Sequence, residues 1–182
     1  MRKGDWIQTY TGRAVYPLDM QLEDIDIYDI AHALSLICRF NGHCKKFYSV
    51  AEHSYLVYLS SRDEYMMYGL LHDAAEAYTG DIPRPVKRSI TEFKGIDKHI
   101  TSLVYKKFKL ASPVTPEYIE DIDKRLLLTE REQNMNKCKV EWGFNQANMG
   151  LAPIPIELRY WSPIEAEQMF LAAFEHCKHL TF

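Results

Sequence analysis

The sequence predicts an all-α protein, a bundle of about six helices preceded by a short N-terminal β-hairpin. Two observations support this prediction. After residue 24, apolar residues recur every three or four positions, which is the period of one face of an α-helix. Several of these stretches begin with a serine or threonine that can cap a helix, and glycine or proline, which interrupt helices, lies between them.

The N-terminal elements are a hairpin and two helices. Residues 6–16 carry β-forming residues on both sides of Thr11-Gly12, which predicts the hairpin. The first helix is predicted over residues 24–38, with one apolar stripe of Ile27, Ile30, Ala31, Leu34, Ile37 and Cys38. The second is predicted from Ser49 to about residue 61 with His53 facing inward, because Glu52 follows Ser49 as in a capping box.

Four further helices are predicted. The third extends from Asp63 to about Tyr78 and stops at Gly80, the fourth covers about 91–108, and the fifth extends from Thr115-Pro116 to about residue 139. The last begins at Ser162-Pro163, with Glu165 completing a capping box. Residues 140–161 are predicted to form a long loop, whose aromatic side chains either contact another subunit or pack on their own domain: Trp142, Phe144, Tyr160 and Trp161.

Composition narrows the class of protein. The chain has 182 residues, a formal net charge of −3 and 23 aromatic residues, which fits one globular domain over residues 1–182 and excludes a disordered chain. The net charge argues against a partner that is a nucleic-acid polymer. We expect no membrane partner and a cytoplasmic location, because we find no apolar span and no secretory leader pattern.

The chemical signal begins in the predicted third helix, with His72-Asp73-Ala-Ala-Glu76. A carboxylate among apolar residues is costly to bury unless it is paired or binds a metal ion. His53 lies inside the apolar pattern of its own helix, and Asp123 lies beside the apolar stripe of the fifth. Two histidines and two aspartates from three helices form a mixed nitrogen and oxygen ligand set, which leaves coordination positions free for substrate. Taken singly, His72 also fits a hydrogen-bonded histidine in the core, and Asp123 also fits a solvated residue on the surface of its helix.

These residues stand within longer motifs: Arg39-Phe40-Asn-Gly-His43, then Tyr48-Ser-Val-Ala-Glu52-His53-Ser54, then His72-Asp73-x-x-Glu76-Ala-Tyr-x-Gly80-Asp81-Ile-Pro83-x-Pro85-Val-Lys87. With Asp123, they resemble the HD-domain metal-dependent phosphohydrolases. The likeness is greatest to compact phage and prophage members of the 5′-deoxynucleotidase group, which include phage enzymes that hydrolyse dATP. It spans about residues 6–131 and implies an HD-domain helical bundle.

The resemblance implies a role for each matching residue. His53, His72, Asp73 and Asp123 would bind one divalent metal ion (Co²⁺, Mn²⁺, Zn²⁺ or Mg²⁺), and Glu76 would orient or deprotonate the attacking water. Arg39 and Lys87 would hold phosphate, and Asp81 would favour deoxyribose by meeting the 3′-hydroxyl and crowding a 2′-hydroxyl. Phe40, where characterised relatives commonly have Trp, would stack on the base. His43 would reach phosphate, act as an acid, or cap the preceding helix through its ring.

The implied function is metal-dependent hydrolysis of the 5′-phosphates of 2′-deoxynucleotides, from dNMP to dNTP, in control of the nucleotide pool. The alternatives are a catalytically silent sensor that binds metal or nucleotide, and a hydrolase of another phosphorylated nucleotide. Relatives form dimers or larger rings, so the resemblance also implies a homo-oligomer, in the host cytoplasm if the protein is phage-encoded. Six basic residues near the predicted ligands predict a local positive pocket: Arg39, Lys45, Lys46, Arg84, Lys87 and Arg88.

Overall fold

The N-terminal hairpin is present in a computed structural model that describes residues 2–140 and 150–180. Strands β1 (Ile7–Gln8) and β2 (Ala14–Val15) pair antiparallel, with Ile7 opposite Val15. Gly12 adopts a positive φ of 85° in the turn between them, a conformation that glycine reaches without steric cost. The hairpin prediction is therefore confirmed.

Helices make up most of the rest of the described chain, which confirms the all-α class. Eight α-helices lie within the described residues: α1 (Ile27–Leu36), α2 (Val50–Leu59), α3 (Met66–Leu71), α4 (Glu76–Thr79), α5 (Arg84–Ser89), α6 (Thr91–Lys107), α7 (Glu117–Asn134) and α8 (Pro163–His179). Short 3₁₀ turns cover Pro17–Asp19, Leu22–Asp24, Arg39–Gly42 and Asp63–Tyr65. The predicted number of about six was too low, because α5 was not predicted and the third predicted helix is interrupted.

The interruption falls at the predicted metal ligands. His72 and Ala75 keep helical backbone angles, but the N–H groups of Ala74 and Glu76 bond to carbonyl oxygens three residues back, which is the tighter 3₁₀ pattern. The carbonyl oxygen of Gly69, which a continuous helix pairs with the N–H of Asp73, accepts a hydrogen bond from Nδ1 of His72 at 2.8 Å. The side chain of His72 thus competes with the helix backbone.

Helix α2 lies at the centre of the bundle and packs on α1, α3, α7 and α8. Eight of its ten residues are buried, including Glu52 and His53. The hydroxyl of Ser49 caps the helix as predicted by accepting from the N–H of Glu52, but the carboxylate of Glu52 does not complete the capping box. It instead accepts hydrogen bonds from backbone N–H groups of the segment before α8: Arg159, Tyr160 and Trp161.

The ends of α7 differ from the prediction. The residue before its first turn is Pro116 rather than Thr115, whose hydroxyl lies 2.8 Å from that of Tyr105. The helix ends at Asn134, and not near residue 139, because the buried amide of Asn134 bonds to both backbone groups of Lys46. In α8, by contrast, Ser162 and Glu165 form the predicted capping box.

Within the predicted loop, residues 150–161 have no regular secondary structure and lie along α7. Three α7 side chains spaced four residues apart donate to carbonyl oxygens spaced two residues apart, namely Arg125 to Ala152, Thr129 to Ile154 and Gln133 to Ile156, at 2.7–2.9 Å. The spacings match, since four helical residues rise about 6 Å and two extended residues about 6.6 Å. Tyr160 and Trp161 pack on their own core, while Trp142 and Phe144 lie outside the described residues.

In the part of the chain that the structure describes, we find no helix with the length and apolar character needed to cross a membrane.

Candidate metal centre

Three of the four predicted metal ligands form a compact group. One nitrogen each from His53 and His72 and one carboxylate oxygen of Asp123 all lie within 4.8 Å of one another. Nε2 of His53 is 3.2 Å from Nε2 of His72 and 3.3 Å from Oδ1 of Asp123. The fourth predicted ligand, Asp73, places Oδ2 3.2 Å from Nε2 of His72 and 3.6 Å from Nε2 of His53. Helices α2 and α7 and the α3–α4 turn supply this group.

The outer ring nitrogens determine what the inner ones can do. Nδ1 of His72 donates to the carbonyl oxygen of Gly69, and Nδ1 of His53 donates to the Glu130 carboxylate at 2.6 Å. In a neutral imidazole, the other nitrogen then carries a lone pair. Two lone pairs that face each other at 3.2 Å repel unless a proton or a metal ion lies between them. Two nitrogens on one ion at about 2.1 Å are separated by such a distance when the angle between them is about 100°.

The electrostatics of the group also favour a cation. Burial and the charge of Arg39 oppose protonation of His53, but Glu130 and Asp123 outweigh them and raise its pKa to about 9. Desolvation opposes ionisation of Asp73 and Asp123, yet the two histidines lower the pKa of both carboxyl groups. The pocket therefore attracts positive charge between the histidines. A divalent metal ion fits this donor set, because its nitrogen and carboxylate ligands bind in their deprotonated forms.

Glu76, the predicted base, begins α4 and is buried. Its Oε2 atom has no hydrogen-bond partner among the residues that the structure describes, which is unusual for a buried carboxylate oxygen. Desolvation, with Asp73 and Asp81 nearby, raises the pKa of Glu76 well above its ordinary value, although Lys87 and Arg39 oppose that shift. Glu76 thus has an unsatisfied oxygen and a high proton affinity.

Arg39, a predicted phosphate ligand, is buried and makes two contacts with acids. Its Nη2 donates to Oε2 of Glu130 at 2.9 Å, and its Nη1 lies 3.7 Å from Oδ2 of Asp73. Burial opposes the charge on Arg39, but these acids raise its pKa. Its Nε has no hydrogen-bond partner within the described ranges. The guanidinium group therefore reaches the metal group through Asp73.

Lys87, the second predicted phosphate ligand, is on α5 and faces an acid that the sequence did not single out. Its Nζ lies 3.0 Å from Oδ1 of Asp97 on α6 and 3.9 Å from Oε1 of Glu76. Burial opposes the charge, but Asp97 and Glu76 raise the pKa of Lys87. Arg84, at the start of α5, places Nη2 3.8 Å from Oδ2 of Asp123. Of the predicted positive pocket, these two residues and Arg39 lie at the metal group.

The remaining predicted substrate residues lie on two short segments. Phe40 and Asn41 adopt left-handed conformations with φ values of 56° and 52°, which are uncommon outside glycine, and the Arg39 guanidinium lies 5.5 Å from the Phe40 ring centroid. His43 is exposed and closes this turn with its backbone N–H rather than its ring. Asp81, which follows Gly80, is partly buried. Desolvation and the nearby charge of Asp73 raise the pKa of Asp81. The structure leaves the substrate roles of these residues as predictions.

Sequence reasoning missed Glu130 as a member of this site. Glu130 is fully buried and contacts two predicted functional side chains, His53 and Arg39. It lies seven residues after Asp123 on α7, so the two carboxylates share one face of that helix. That spacing is the signal in the sequence that identifies it.

The relatives found by comparison with known proteins have names that state no activity. No family model matches the chain. The chain is 40% identical over 126 residues to "Uncharacterized protein YfdR" of Escherichia coli, an alignment that covers 69% of this chain and 70% of the relative. It is 38% identical over 118 residues to "Uncharacterized protein RCAP_rcc00048" of Rhodobacter capsulatus, covering 59% of this chain and 60% of that relative.

Proposed function

The chain belongs to the family of the Escherichia coli protein YfdR, and we propose that it is an HD-type metal-dependent phosphohydrolase that removes 5′-phosphate groups from 2′-deoxynucleotides. The single observation that carries this proposal is the pair of histidine Nε2 atoms 3.2 Å apart, with their Nδ1 atoms already donating elsewhere. Carboxylates of Asp73 and Asp123 flank that pair. The sequence motifs around these residues supply the resemblance to deoxynucleotidases.

His53, His72, Asp73 and Asp123 would hold one divalent metal ion, with Co²⁺, Mn²⁺, Zn²⁺ and Mg²⁺ as candidates. When bound, such an ion polarises a phosphoryl oxygen and lowers the pKa of a neighbouring water molecule. The protein's own contribution is the fixed orientation of the two imidazoles. Glu130 and the Gly69 carbonyl oxygen set that orientation through the Nδ1 atoms.

Glu76 is the proposed proton acceptor. In its ionised form, Oε2 is a buried oxygen that lacks a partner among the described residues, so it can accept a proton from the attacking water. The water oxygen forms the new bond to phosphorus as the bond to the leaving oxygen breaks. Lys87, 3.9 Å from Oε1, opposes the rise in the pKa of Glu76 that desolvation, Asp73 and Asp81 cause, so its charge assists the ionised form that accepts the proton.

Arg39 and Lys87 are the proposed phosphate ligands, because phosphoryl transfer depends mainly on positioning and on neutralising charge. Arg39 presents a planar guanidinium group and Lys87 a single ammonium. Phe40, His43 and Asp81 are proposed to contact base, phosphate and sugar, in accordance with the resemblance. A homo-oligomer, a cytoplasmic location and a preference for dATP remain predictions of that resemblance.

The test is a product assay with a matched variant. The purified chain is loaded separately with each candidate metal ion and incubated with deoxy- and ribonucleoside mono-, di- and triphosphates, and the products are separated by chromatography. We expect Glu76→Gln to retain the metal ion and to lose at least about 100-fold in kcat. Glu92→Gln, an exposed glutamate at the start of α6, is the control.

Absence of turnover of every deoxynucleotide by the metal-loaded wild type would contradict the proposed reaction and favour a silent sensor. Full activity of Glu76→Gln would show that another group accepts the proton. Turnover of ribonucleotides alone would indicate a hydrolase of a different nucleotide class.

A further inference from the structure

Glu130 is a fully buried carboxylate that serves three donors at once. Its Oε1 accepts from Nδ1 of His53 at 2.6 Å and from the hydroxyl of Tyr48 at 2.9 Å. Its Oε2 accepts from Nη2 of Arg39 at 2.9 Å. The carboxylate of Glu130 therefore lies between an imidazole and a guanidinium group.

Each contact restricts what its partner can do. The bond to Nδ1 holds the proton of His53 on that nitrogen and leaves Nε2 directed at His72 and Asp123. The bond to Nη2 leaves the Nη1 atom of Arg39 3.7 Å from Asp73. One carboxylate thus fixes a predicted metal ligand through Oε1 and a predicted phosphate ligand through Oε2.

We propose that Glu130 is a positioning residue that couples the metal-binding and phosphate-binding halves of the site. The inference rests on the proposed function, because it assigns His53 to the metal ion and Arg39 to phosphate. Loss of the carboxylate leaves His53 free to change tautomer and Arg39 without its closest acid. Both metal affinity and substrate affinity then fall, although Glu130 contacts neither ligand itself.

A substitution at Tyr48 distinguishes this positioning role from simple packing. It is the third donor to Glu130, it is also fully buried, and it is not part of the proposed catalytic or binding machinery. Tyr48→Phe removes one hydrogen bond from Oε1 while the His53 and Arg39 contacts stay. If the network were purely structural, Tyr48→Phe and the loss of the Glu130 carboxylate would affect the protein equally. If Glu130 is a positioning residue, the loss of its carboxylate weakens ligand binding far more than Tyr48→Phe does.

The experiment measures metal affinity by calorimetry with Zn²⁺ or Co²⁺, and kcat and KM for the substrate that the wild type hydrolyses best. For Glu130→Gln we expect the metal Kd to weaken about 10- to 100-fold. We expect KM to rise about 10-fold or more, the scale of one hydrogen bond to a charged group. Tyr48→Phe should keep both constants within about 3-fold of wild type. Glu132→Gln, an exposed glutamate on α7, is the matched control.

Unchanged Kd and KM in folded Glu130→Gln would overturn the inference, and so would equal losses in Tyr48→Phe. If Glu130→Gln does not fold, Glu130→Asp keeps the charge and shortens its reach, and the same directions of change are expected from it. Wild-type constants in that variant would also overturn the inference. A wild-type protein that binds no metal ion would contradict the proposed function itself. If the wild-type protein binds the metal ion and hydrolyses a deoxynucleotide, the variants test the role of Glu130 alone.

Discussion

The imidazoles of His53 and His72 belong to different helices, and their ring centroids lie 5.2 Å apart with the Nε2 atoms in closest approach. His53 is on α2, and His72 ends α3. A cation bound between them would link these two helices and, through Asp123, also α7. We therefore expect metal binding to stabilise the tertiary structure as well as to serve the proposed reaction.

Metal removal should lower thermal stability. A ligand that binds only the folded state adds about 2.7 kcal/mol when present at 100 times its Kd. We expect excess Zn²⁺ or Co²⁺ to raise Tm and a chelator to reverse that rise, as followed by circular dichroism. In His72→Ala the metal-dependent rise should disappear. His179→Gln, at an exposed histidine of α8, should retain it. A rise of equal size in His72→Ala would contradict the ligand assignment.

Gly69 lets α3 approach α2 closely. A Cβ atom at Gly69 would lie 2.8 Å from Oγ of Ser61 and 3.2 Å from the backbone N and Cα of Tyr58. We expect Gly69→Ala to lower the free energy of unfolding by about 1–3 kcal/mol, because the backbone of α2 must move. Gly95→Ala in α6 is the control, since nothing lies within 4 Å of its added Cβ. That change should raise stability by about 0.5–1 kcal/mol. Equal effects in urea denaturation would contradict the packing argument.

Asp81 should determine the preference for deoxyribose. It follows Gly80, whose φ of 81° ends α4, and it lies close enough to Asp73 for the charge of that residue to raise its pKa, in addition to desolvation. We expect Asp81→Ala to reduce the ratio of kcat/KM for dAMP over AMP, or for dATP over ATP, by about 10-fold, the scale of one lost hydrogen bond to a charged group. Asp121→Ala, on the exposed side of α7, should leave the ratio unchanged. An unchanged ratio in Asp81→Ala would contradict the proposed role of Asp81 in the preference for deoxyribose.

Features set by local sequence were predicted best. The caps at Ser49 and Ser162 depend on one side chain and the N–H group three residues later, so four residues suffice to identify them. The predicted cap at Thr115 was wrong because its hydroxyl bonds to Tyr105 on another helix. The second half of the capping box at Glu52 failed for the same reason, since partners distant in sequence use its carboxylate.

The candidate site shows the same difference between features set by local sequence and features set by residues distant in sequence. His53, His72, Asp73 and Asp123 were identified from motifs, and the structure brings them together. Two acidic partners that complete the environment were not identified: Glu130 and Asp97. Each is a charged residue on a helix, which usually marks a solvated face, and only the packing of α6 and α7 turns these residues inward.

Glu52 attaches the segment before α8 to the central helix. Its Oε1 accepts from the N–H groups of Arg159 and Tyr160, and its Oε2 accepts from that of Trp161, at 2.7–3.0 Å. Because Glu52 precedes His53 directly, this attachment fixes the helix that carries a predicted metal ligand. We expect Glu52→Ala to lower the free energy of unfolding by at least about 2 kcal/mol, since three backbone donors lose their acceptor. Hydrogen exchange at residues 159–161 should accelerate more than at α6. Glu132→Ala, at an exposed glutamate on α7, is the control. Protection at 159–161 in Glu52→Ala equal to that of the wild type would show that other contacts hold the segment.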